Sequence, residues 1–219
     1  MAKTRPFDSY YLEYDQWFEE HQDLYRLELL ALSVALSPFK KASSNGICLE
    51  IGVGSGKFAA PLNCCLGIDP SLPMLLRAKQ RGIKVMLGIA EELPVKANSI
   101  DYCLMVTTIC FVDDPFLAFD EAIRILKPGG GIVIGLVDKD SPLGKRYQEK
   151  RKDSKFYKEA TFYSCQQVQE LLAKTGFKLS QTIQTLLPQH LNRNVVPKGK
   201  DIVPGCGNGS FVAISAIKP

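Results

Sequence analysis

The sequence has 219 residues, of which 46% are hydrophobic, 23% charged and 9% aromatic, and its net charge is +4. This composition is typical of globular proteins and excludes collagen-like, coiled-coil and wholly disordered chains. The small net charge does not indicate nucleic-acid binding by itself. The apolar runs are too short for a membrane span, and the acidic, aromatic N-terminus does not resemble a signal peptide, so we expect a cytoplasmic protein.

Two amphipathic helices are predicted near the N-terminus, over residues 10–18 and 24–36, and the second is expected to end at Ser37-Pro38. The first carries aromatic side chains at helical spacing: Tyr10, Tyr14, Trp17 and Phe18. Such a stripe either packs into a core or forms a lid over a ligand pocket. We therefore predict an N-terminal helical lid over residues 1–40.

Short apolar runs alternate with helical stretches after residue 45. The predicted strands are 47–51, 66–68, 85–87, 100–106 and 132–137, and the predicted helices between them are 55–62, 71–81 and 115–126. Near-continuous hydrophobic strands are typical of sheets covered on both faces. Their alternation with helices predicts a parallel sheet with right-handed crossovers.

The C-terminal part begins with a basic insert, residues 138–163, followed by a helix at 164–175 and strands at 177–186 and 210–217. Two late strands in succession predict an antiparallel pair at one sheet edge. The fold expected is thus α/β, a Rossmann-like, doubly wound, mostly parallel seven-stranded sheet. We expect a single domain over residues 1–219, with a core at 45–137 and a C-terminal helix and strand pair at 164–219.

The basic insert holds most of the excess positive charge, with eight basic and three acidic residues between Lys139 and Lys158. It fits a solvated loop, an element that binds the substrate, or a surface for RNA or an acidic protein. His190 lies beyond the predicted core and is interpreted as a surface histidine, with general base as the alternative.

Seven cysteines and two histidines form no C-x-x-C or other short metal-ligand spacing, so no metal site is expected. An odd, unpatterned cysteine count favours a reducing compartment. Cys48 and Cys103 lie in strand-like runs, and we interpret both as small hydrophobic residues.

A glycine-rich turn follows the first strand, in the sequence LEIGVGSG at 49–56. In open parallel sheets ligands bind at the carboxyl ends of the strands, and glycine lets the backbone approach them closely. The dinucleotide fingerprint G-x-G-x-x-G requires glycine at position 57, where this chain has Lys57. A P-loop is excluded because no G-K-[ST] follows.

Acidic residues accompany this turn on the first two strands. Asp69 ends the second strand, where a carboxylate can accept hydrogen bonds from both hydroxyls of a ribose. NAD and S-adenosylmethionine are both consistent with that position. Glu50 favours the latter, because a carboxylate there would repel a pyrophosphate but attract a cationic amino-acid group.

Four motifs, LEIGVGSGKFA (49–59), LGIDPSLPML (66–75), LGIAEELPVKANSIDYCLM (87–105) and EAIRILKPGGGIVIG (121–135), occur in order. Over residues 45–137 the chain resembles class I S-adenosylmethionine-dependent methyltransferases, in particular the small-molecule type that includes the quinone-biosynthesis enzymes. The resemblance implies S-adenosylmethionine as cofactor. It places Gly52, Gly54 and Gly56 at the methionine end, Glu50 beside the amino group and Asp69 at the ribose.

The resemblance also implies contacts to the rest of the cofactor: Pro70 and Met74 at the start of the next helix, Ala90 and Glu91 beside the adenine, and Met105 and Thr107 facing the reaction centre. Many relatives carry an acidic residue where this chain has Ile89. The acidic contact to the adenine amine is therefore absent here, and backbone groups or Glu91 would have to replace it.

The implied reaction is in-line transfer of the sulfonium methyl to a nucleophilic atom of a small-molecule acceptor. Since the methyl is already activated, positioning can supply most of the acceleration, and a base is needed only for an acceptor that must lose a proton. No catalytic residue is therefore predicted. Alternatives are an RNA- or protein-directed methyltransferase and an NAD-dependent oxidoreductase. We expect a monomer or homodimer.

Overall fold

A computed structural model describes residues 3–42, 46–188 and 201–219. The strands are β1 (Cys48–Ile51), β2 (Leu66–Asp69), β3 (Lys84–Leu87), β4 (Ile100–Val106), β5 (Leu126–Val137), β6 (Lys178–Thr185), β7 (Val203–Pro204) and β8 (Phe211–Ile217). They form one sheet in the order β3-β2-β1-β4-β5-β8-β6-β7. The first five strands of this order are parallel, and β8, β6 and β7 pair antiparallel at the other side.

This topology confirms the predicted Rossmann-like α/β fold with an antiparallel edge. The described residues add one strand to the seven expected, because the two-residue β7 pairs with β6. Such a short strand has no apolar run that would reveal it. The order of strands reverses between β1 and β4, and this reversal marks the switch point at which open parallel sheets bind ligands.

The helices are α1 (Arg5–Ser9), α2 (Tyr11–Glu20), α3 (Gln22–Ala42), α4 (Leu72–Gln80), α5 (Pro115–Ile125), α6 (Pro142–Glu149) and α7 (Cys165–Lys174). Four of them begin at a capping side chain that accepts a backbone N–H of the first turn: Ser71, Asp114, Ser141 and Ser164. These caps satisfy donors that the first turn leaves free. No helix in the described parts of the chain has the length and apolarity needed to cross a bilayer.

The core lies on both faces of the sheet, as a doubly wound fold requires. Leu104 on β4 belongs to a cluster that includes Leu32 of α3. Its neighbour Met105 belongs to a second cluster that includes Phe119 of α5. Successive side chains of a strand point to opposite faces, so β4 separates the two clusters.

Helix α3 does not end at Ser37-Pro38 as predicted but continues through Pro38 to Ala42. Proline inside a helix costs about 3 kcal/mol through a lost hydrogen bond and a ring clash. Two contacts of the last turn offset this cost. Phe39 is buried against Gly131 of β5, and Lys40 Nζ donates to the carbonyl of Leu62 at 2.8 Å.

The helix predicted over residues 55–62 is instead a series of turns. Two helical hydrogen bonds form, from the N–H of Ala60 to the carbonyl of Gly56 at 3.1 Å and from the N–H of Leu62 to the carbonyl of Phe58 at 3.2 Å. A regular helix does not form because Gly54 and Gly56 have φ of +50° and +82° and Pro61 lacks an N–H.

Cys48 is disulfide-bonded to Cys64, so its interpretation as a small hydrophobic residue is wrong. The parallel register places Leu49 opposite Leu66, which brings the residues at the beginning of both strands together, with 4.9 Å between the Cα atoms of the two cysteines. Strand register, rather than cysteine spacing, creates this pair. Cys103 is free and fully buried, in keeping with its interpretation.

Candidate functional site

A cavity of about 870 Å³ lies at the carboxyl ends of the parallel strands. Its wall includes Gly52 after β1, Asp69 at the end of β2, Thr107 after β4 and Val137 at the end of β5. This is the position at which open α/β sheets bind ligands. The volume is within the range of about 300–1,000 Å³ that is typical of small-molecule sites.

The turn after β1 requires glycine at the cavity wall. Gly52 has φ of +72°, and a Cβ built there would lie 2.2 Å from Cγ2 of Thr108. Gly54 has φ of +50° and lies beside the ring of Tyr14, whose hydroxyl would be 3.8 Å from an added Cβ. Gly56 faces Ala78 of α4 instead, so it allows the turn to pack closely against that helix.

Glu50 is buried directly behind this turn on β1, with 1% of its surface exposed. Its Oε2 atom has no hydrogen-bond partner in the described chain. Burial raises the pKa of Glu50 well above its ordinary value, and the charge of Asp69 adds to this effect, whereas a backbone hydrogen bond from Ala59 opposes it. A buried acceptor without a donor is costly, so this carboxylate is suited to a cationic donor supplied by a ligand.

Asp69 organises the turn and also faces the cavity. Its Oδ2 atom accepts the N–H of Gly54 and its Oδ1 atom accepts the N–H of Ser71, both at 2.8 Å. Burial raises its pKa to about 6, although both backbone hydrogen bonds lower it. Each carboxylate oxygen can accept a further hydrogen bond, so ribose hydroxyls remain acceptable partners.

Eight of the eleven predicted cofactor-binding residues line this one cavity: Gly52, Gly54, Asp69, Pro70, Met74, Ala90, Glu91 and Thr107. Glu91 also accepts the N–H of Asp113 at 2.7 Å, which ties the adenine-side loop to the beginning of α5. Ile89, the position at which the chain departs from many relatives, lies in the same wall. The sequence motifs therefore converge as the resemblance implies.

The other three predicted residues are placed differently. Glu50 and Gly56 lie behind the turn, as described above. Met105 is fully buried in the core cluster on the opposite face of β4, while its neighbours Val106 and Thr107 reach the cavity. The two-residue period of the strand separates Met105 from Val106, and Thr107 lies beyond the end of β4 with a positive φ.

Thr107 has φ of +51°, an unusual conformation for a β-branched residue. Its N–H donates to the carbonyl of Gly135 at 2.7 Å. Thr108 Oγ1 donates to carbonyls of Val106 and Gly52, at 3.0 and 3.2 Å. Backbone strain of this kind concentrates at functional sites. The hydroxyl of Thr108 links the end of β4 to the glycine turn.

The structure adds Glu28, a cavity residue that the sequence analysis does not identify. Glu28 lies on α3 within the apolar stretch LYRLELLALSVAL (24–36), and 5% of its surface is exposed. Burial raises its pKa to about 8. A single acid on an apolar helix is the available sequence signal, but the signal does not say what the acid faces.

Aromatic side chains from two distant parts of the chain cover the cavity. Phe156 lies 5.7 Å from Phe7 and 6.0 Å from Tyr14, measured between ring centroids. Tyr147 and Tyr157 are stacked at 5.2 Å. All five rings line the cavity. We call this set the aromatic roof, and it brings the N-terminal helices and the basic insert together.

The aromatic stripe of the N-terminal helix contributes both to the core and to the cavity wall. Phe18 is buried in the core cluster, and Tyr14, Trp17 and Phe18 also line the cavity. Tyr10 is more exposed and contacts Phe156 at a centroid distance of 6.3 Å.

A buried ion-pair network holds α2 against α4. Asp15 accepts hydrogen bonds from Arg77 Nε and Nη2 at 3.0 and 2.7 Å, from Arg81 Nη2 at 2.8 Å and from Ser55 Oγ at 2.5 Å. Burial alone would raise the pKa of Asp15, but these hydrogen bonds outweigh it and lower the pKa. Ser55 belongs to the glycine turn, so the network also fixes that turn.

Part of the basic insert forms the cavity wall. Lys150, Asp153 and Ser154 line it together with the aromatic roof, and Lys155 pairs with Glu13 of α2 at 2.6 Å. These contacts place part of the insert against the cavity.

Comparisons with known proteins agree with this geometry. A family model described as a methyltransferase domain matches residues 49–134. An uncharacterised protein of Methanocaldococcus jannaschii is 43% identical over 212 residues, covering 97% of this chain and 98% of that protein. A crystal structure from Thermotoga maritima, of a SAM-dependent methyltransferase described as a possible histamine N-methyltransferase, is 41% identical with a TM-score of 0.86, covering 98% of this chain and 99% of that one.

A more distant solved structure shares the fold. It is a SAM-dependent methyltransferase from Aquifex aeolicus, 18% identical, with a TM-score of 0.63 and coverage of 93% of this chain and 98% of that one.

Proposed function

The chain belongs to the class I S-adenosylmethionine-dependent methyltransferases, and we propose that it transfers the sulfonium methyl to a nucleophilic atom of a small molecule held under the aromatic roof. The observation that carries this proposal is the 870 Å³ cavity, which joins the motif residues to the roof in one space. We further propose a cytoplasmic enzyme, a monomer or homodimer, with one domain over residues 1–219. Family membership displaces the hypothesis of an NAD-dependent oxidoreductase.

The cofactor-side residues fit S-adenosylmethionine. The unpartnered Oε2 of Glu50 suits the cationic amino group, directly or through water, and Asp69 suits the ribose hydroxyls. The absence of a Cβ at Gly52 leaves room at the methionine end. Met74 and Ala90 provide apolar wall for the adenine. When bound, the cofactor supplies a methyl group already activated by a positively charged sulfur.

The chain contributes positioning and the exclusion of water. A reactant held in line with its partner avoids much of the entropic cost of a bimolecular encounter. The aromatic roof limits solvent access to the cavity, and the Asp15 network keeps helix α2 in place above it. The strained Thr107 fixes the wall at the end of β4, where the family resemblance expects the reaction centre.

The roof also supports a small acceptor over an RNA or protein chain. Residues of α1, α2 and the insert cover the cavity from both sides, and the Lys155–Glu13 ion pair joins the two parts. One basic residue of the insert, Lys150, lines the cavity. The Thermotoga relative, as a possible histamine N-methyltransferase, is itself described with a small-molecule acceptor.

Transfer of a labelled methyl group tests this proposal. The purified protein is incubated with methyl-tritiated S-adenosylmethionine and a cell extract separated into small molecules, RNA and protein. We expect label in the dialysable small-molecule fraction with the wild type and none with Asp69→Ala. Label incorporated into RNA or protein, with none in the small-molecule fraction, would contradict a small acceptor.

A further inference from the structure

Glu28 is a buried acid that faces the cavity and has no partner among the described residues. It lies on α3, lines the cavity and has 5% of its surface exposed. Its carboxylate has no hydrogen bond or ion pair within residues 3–42, 46–188 and 201–219. A buried charge without compensation is costly and is usually paired. The unliganded Glu28 side chain therefore favours its neutral form, and a cationic ligand would stabilise its carboxylate.

The rings around Glu28 suit a cation. Its negative charge adds to burial in raising the pKa of Tyr14, Tyr147 and Tyr157, to about 12 for Tyr147. These tyrosines come from α2, α6 and the insert, and all three line the same cavity as Glu28. Aromatic faces attract ammonium groups, most strongly where water is excluded. An acid among aromatic rings is a combination that recognises organic cations.

This acid is separate from the cofactor-side acids. Burial and the charge of Asp69 both raise the pKa of Glu50, whereas burial alone raises the pKa of Glu28. Besides burial, the charges of Glu50, Asp69, Asp15 and Glu28 raise the pKa of Tyr14, whose ring lies next to Gly54. The cavity wall therefore carries acids from two different elements, Asp69 of β2 and Glu28 of α3, and the cofactor contacts proposed above do not use Glu28.

We propose that the methyl acceptor is a small amine, bound as its ammonium ion by Glu28 and the surrounding tyrosine rings. This inference rests on the proposed function and names the acceptor class and a residue that contacts it.

The same contact provides the base that amine methylation requires. The ammonium group transfers one proton to the Glu28 carboxylate and becomes a neutral amine. Its nitrogen lone pair forms the N–C bond to the methyl as the C–S bond breaks, and the electron pair of that bond stays on sulfur. The products are a methylated ammonium ion and a neutral thioether. Glu28 then releases its proton to solvent, which completes the balance.

Calorimetry with matched probes tests the proposal. The protein, saturated with S-adenosylhomocysteine, is titrated with 2-phenylethylamine, with histamine and with 2-phenylethanol, the neutral counterpart of the first. We expect the wild type to bind at least one amine and to bind 2-phenylethanol more weakly. Glu28→Gln should lose about 10- to 100-fold in amine affinity, because a hydrogen-bonded charge pair is lost, and should bind the alcohol as the wild type does.

Asp23→Asn, on the same helix but exposed and paired with Arg26, is the matched control and should bind amines like the wild type. Glu28→Asp keeps the charge and should retain part of the amine affinity. This variant replaces Glu28→Gln in the test if Glu28→Gln does not fold. Amine binding unchanged in Glu28→Gln, alcohol binding equal to amine binding, or no amine binding by the wild type would each overturn the inference. Failure to bind S-adenosylhomocysteine would instead overturn the proposed function.

Discussion

Asp15→Asn is predicted to loosen the N-terminal helices from the cofactor-binding core. The side chain of Asp15 is 8% exposed, and those of Arg77 and Arg81 are 31% and 26% exposed. Breaking a fully buried ion pair costs about 3–5 kcal/mol, and an exposed pair contributes about 0–1 kcal/mol. Because the arginines keep partial access to water, we expect a loss of about 2–3 kcal/mol.

Urea denaturation measures this loss at neutral pH, at which Asp15 is ionised because its pKa is lowered. In thermal denaturation, the same loss of stability should lower Tm by about 5–10 °C for a chain of this size. Glu13→Gln is the control, since Glu13 lies on the same helix in an exposed pair with Lys155 and should leave stability unchanged. If Asp15→Asn destabilises no more than the control, the network does not hold α2, and our reasoning about the roof is refuted.

Three further predictions follow from other parts of the molecule. Gly52→Ala should weaken S-adenosylhomocysteine binding in calorimetry, because the added Cβ would meet Thr108. The control Gly82→Ala, at φ of +83° with open space around it, should leave binding intact. Equal loss of binding in both variants would show that backbone strain, rather than the contact with Thr108, causes the loss. Cys48→Ser should lower the unfolding free energy by about 3 kcal/mol, since it opens a loop of 16 residues, and a reductant should then change the stability of the wild type but not of the variant. Burial raises the pKa of Glu28 from 4.5 to about 8, so unliganded wild-type protein should lose stability as pH rises from about 4.5 to 8. Glu28→Gln should reduce this slope without removing it, because the raised pKa values of Asp69 and Glu50 act in the same direction; equal slopes in the wild type and the variant would contradict a buried acid at position 28.

The parallel core was predictable because its signals are local. Each apolar run is a strand, buried along most of its length except for β3 at the sheet edge. The residues that follow the parallel strands meet at one edge of the sheet for topological reasons alone. Gly52 and Asp69 therefore reach one cavity although 17 positions separate them. Met105 shows the limit of this reasoning, because a shift of one residue along a strand exchanges cavity wall for core.

The remaining features depend on packing between distant segments. Glu28 reaches the cavity because α3 lies across the sheet, and no local pattern reports that placement. Phe156 contacts Phe7 although nearly 150 residues separate them in the sequence, so no local pattern predicts the aromatic roof. Pro38 is a helix terminator by local rules, yet burial of Phe39 extends the helix past it. His190 lies outside the described residues, and its interpretation stays a prediction.

Calorimetric titration with S-adenosylmethionine, S-adenosylhomocysteine and NAD in parallel tests the central claim most directly. Our account predicts micromolar binding of both sulfur ligands, no binding of NAD, and loss of binding in Asp69→Ala. Binding of NAD alone, or failure of both sulfur ligands to bind, would contradict the assignment of the cavity.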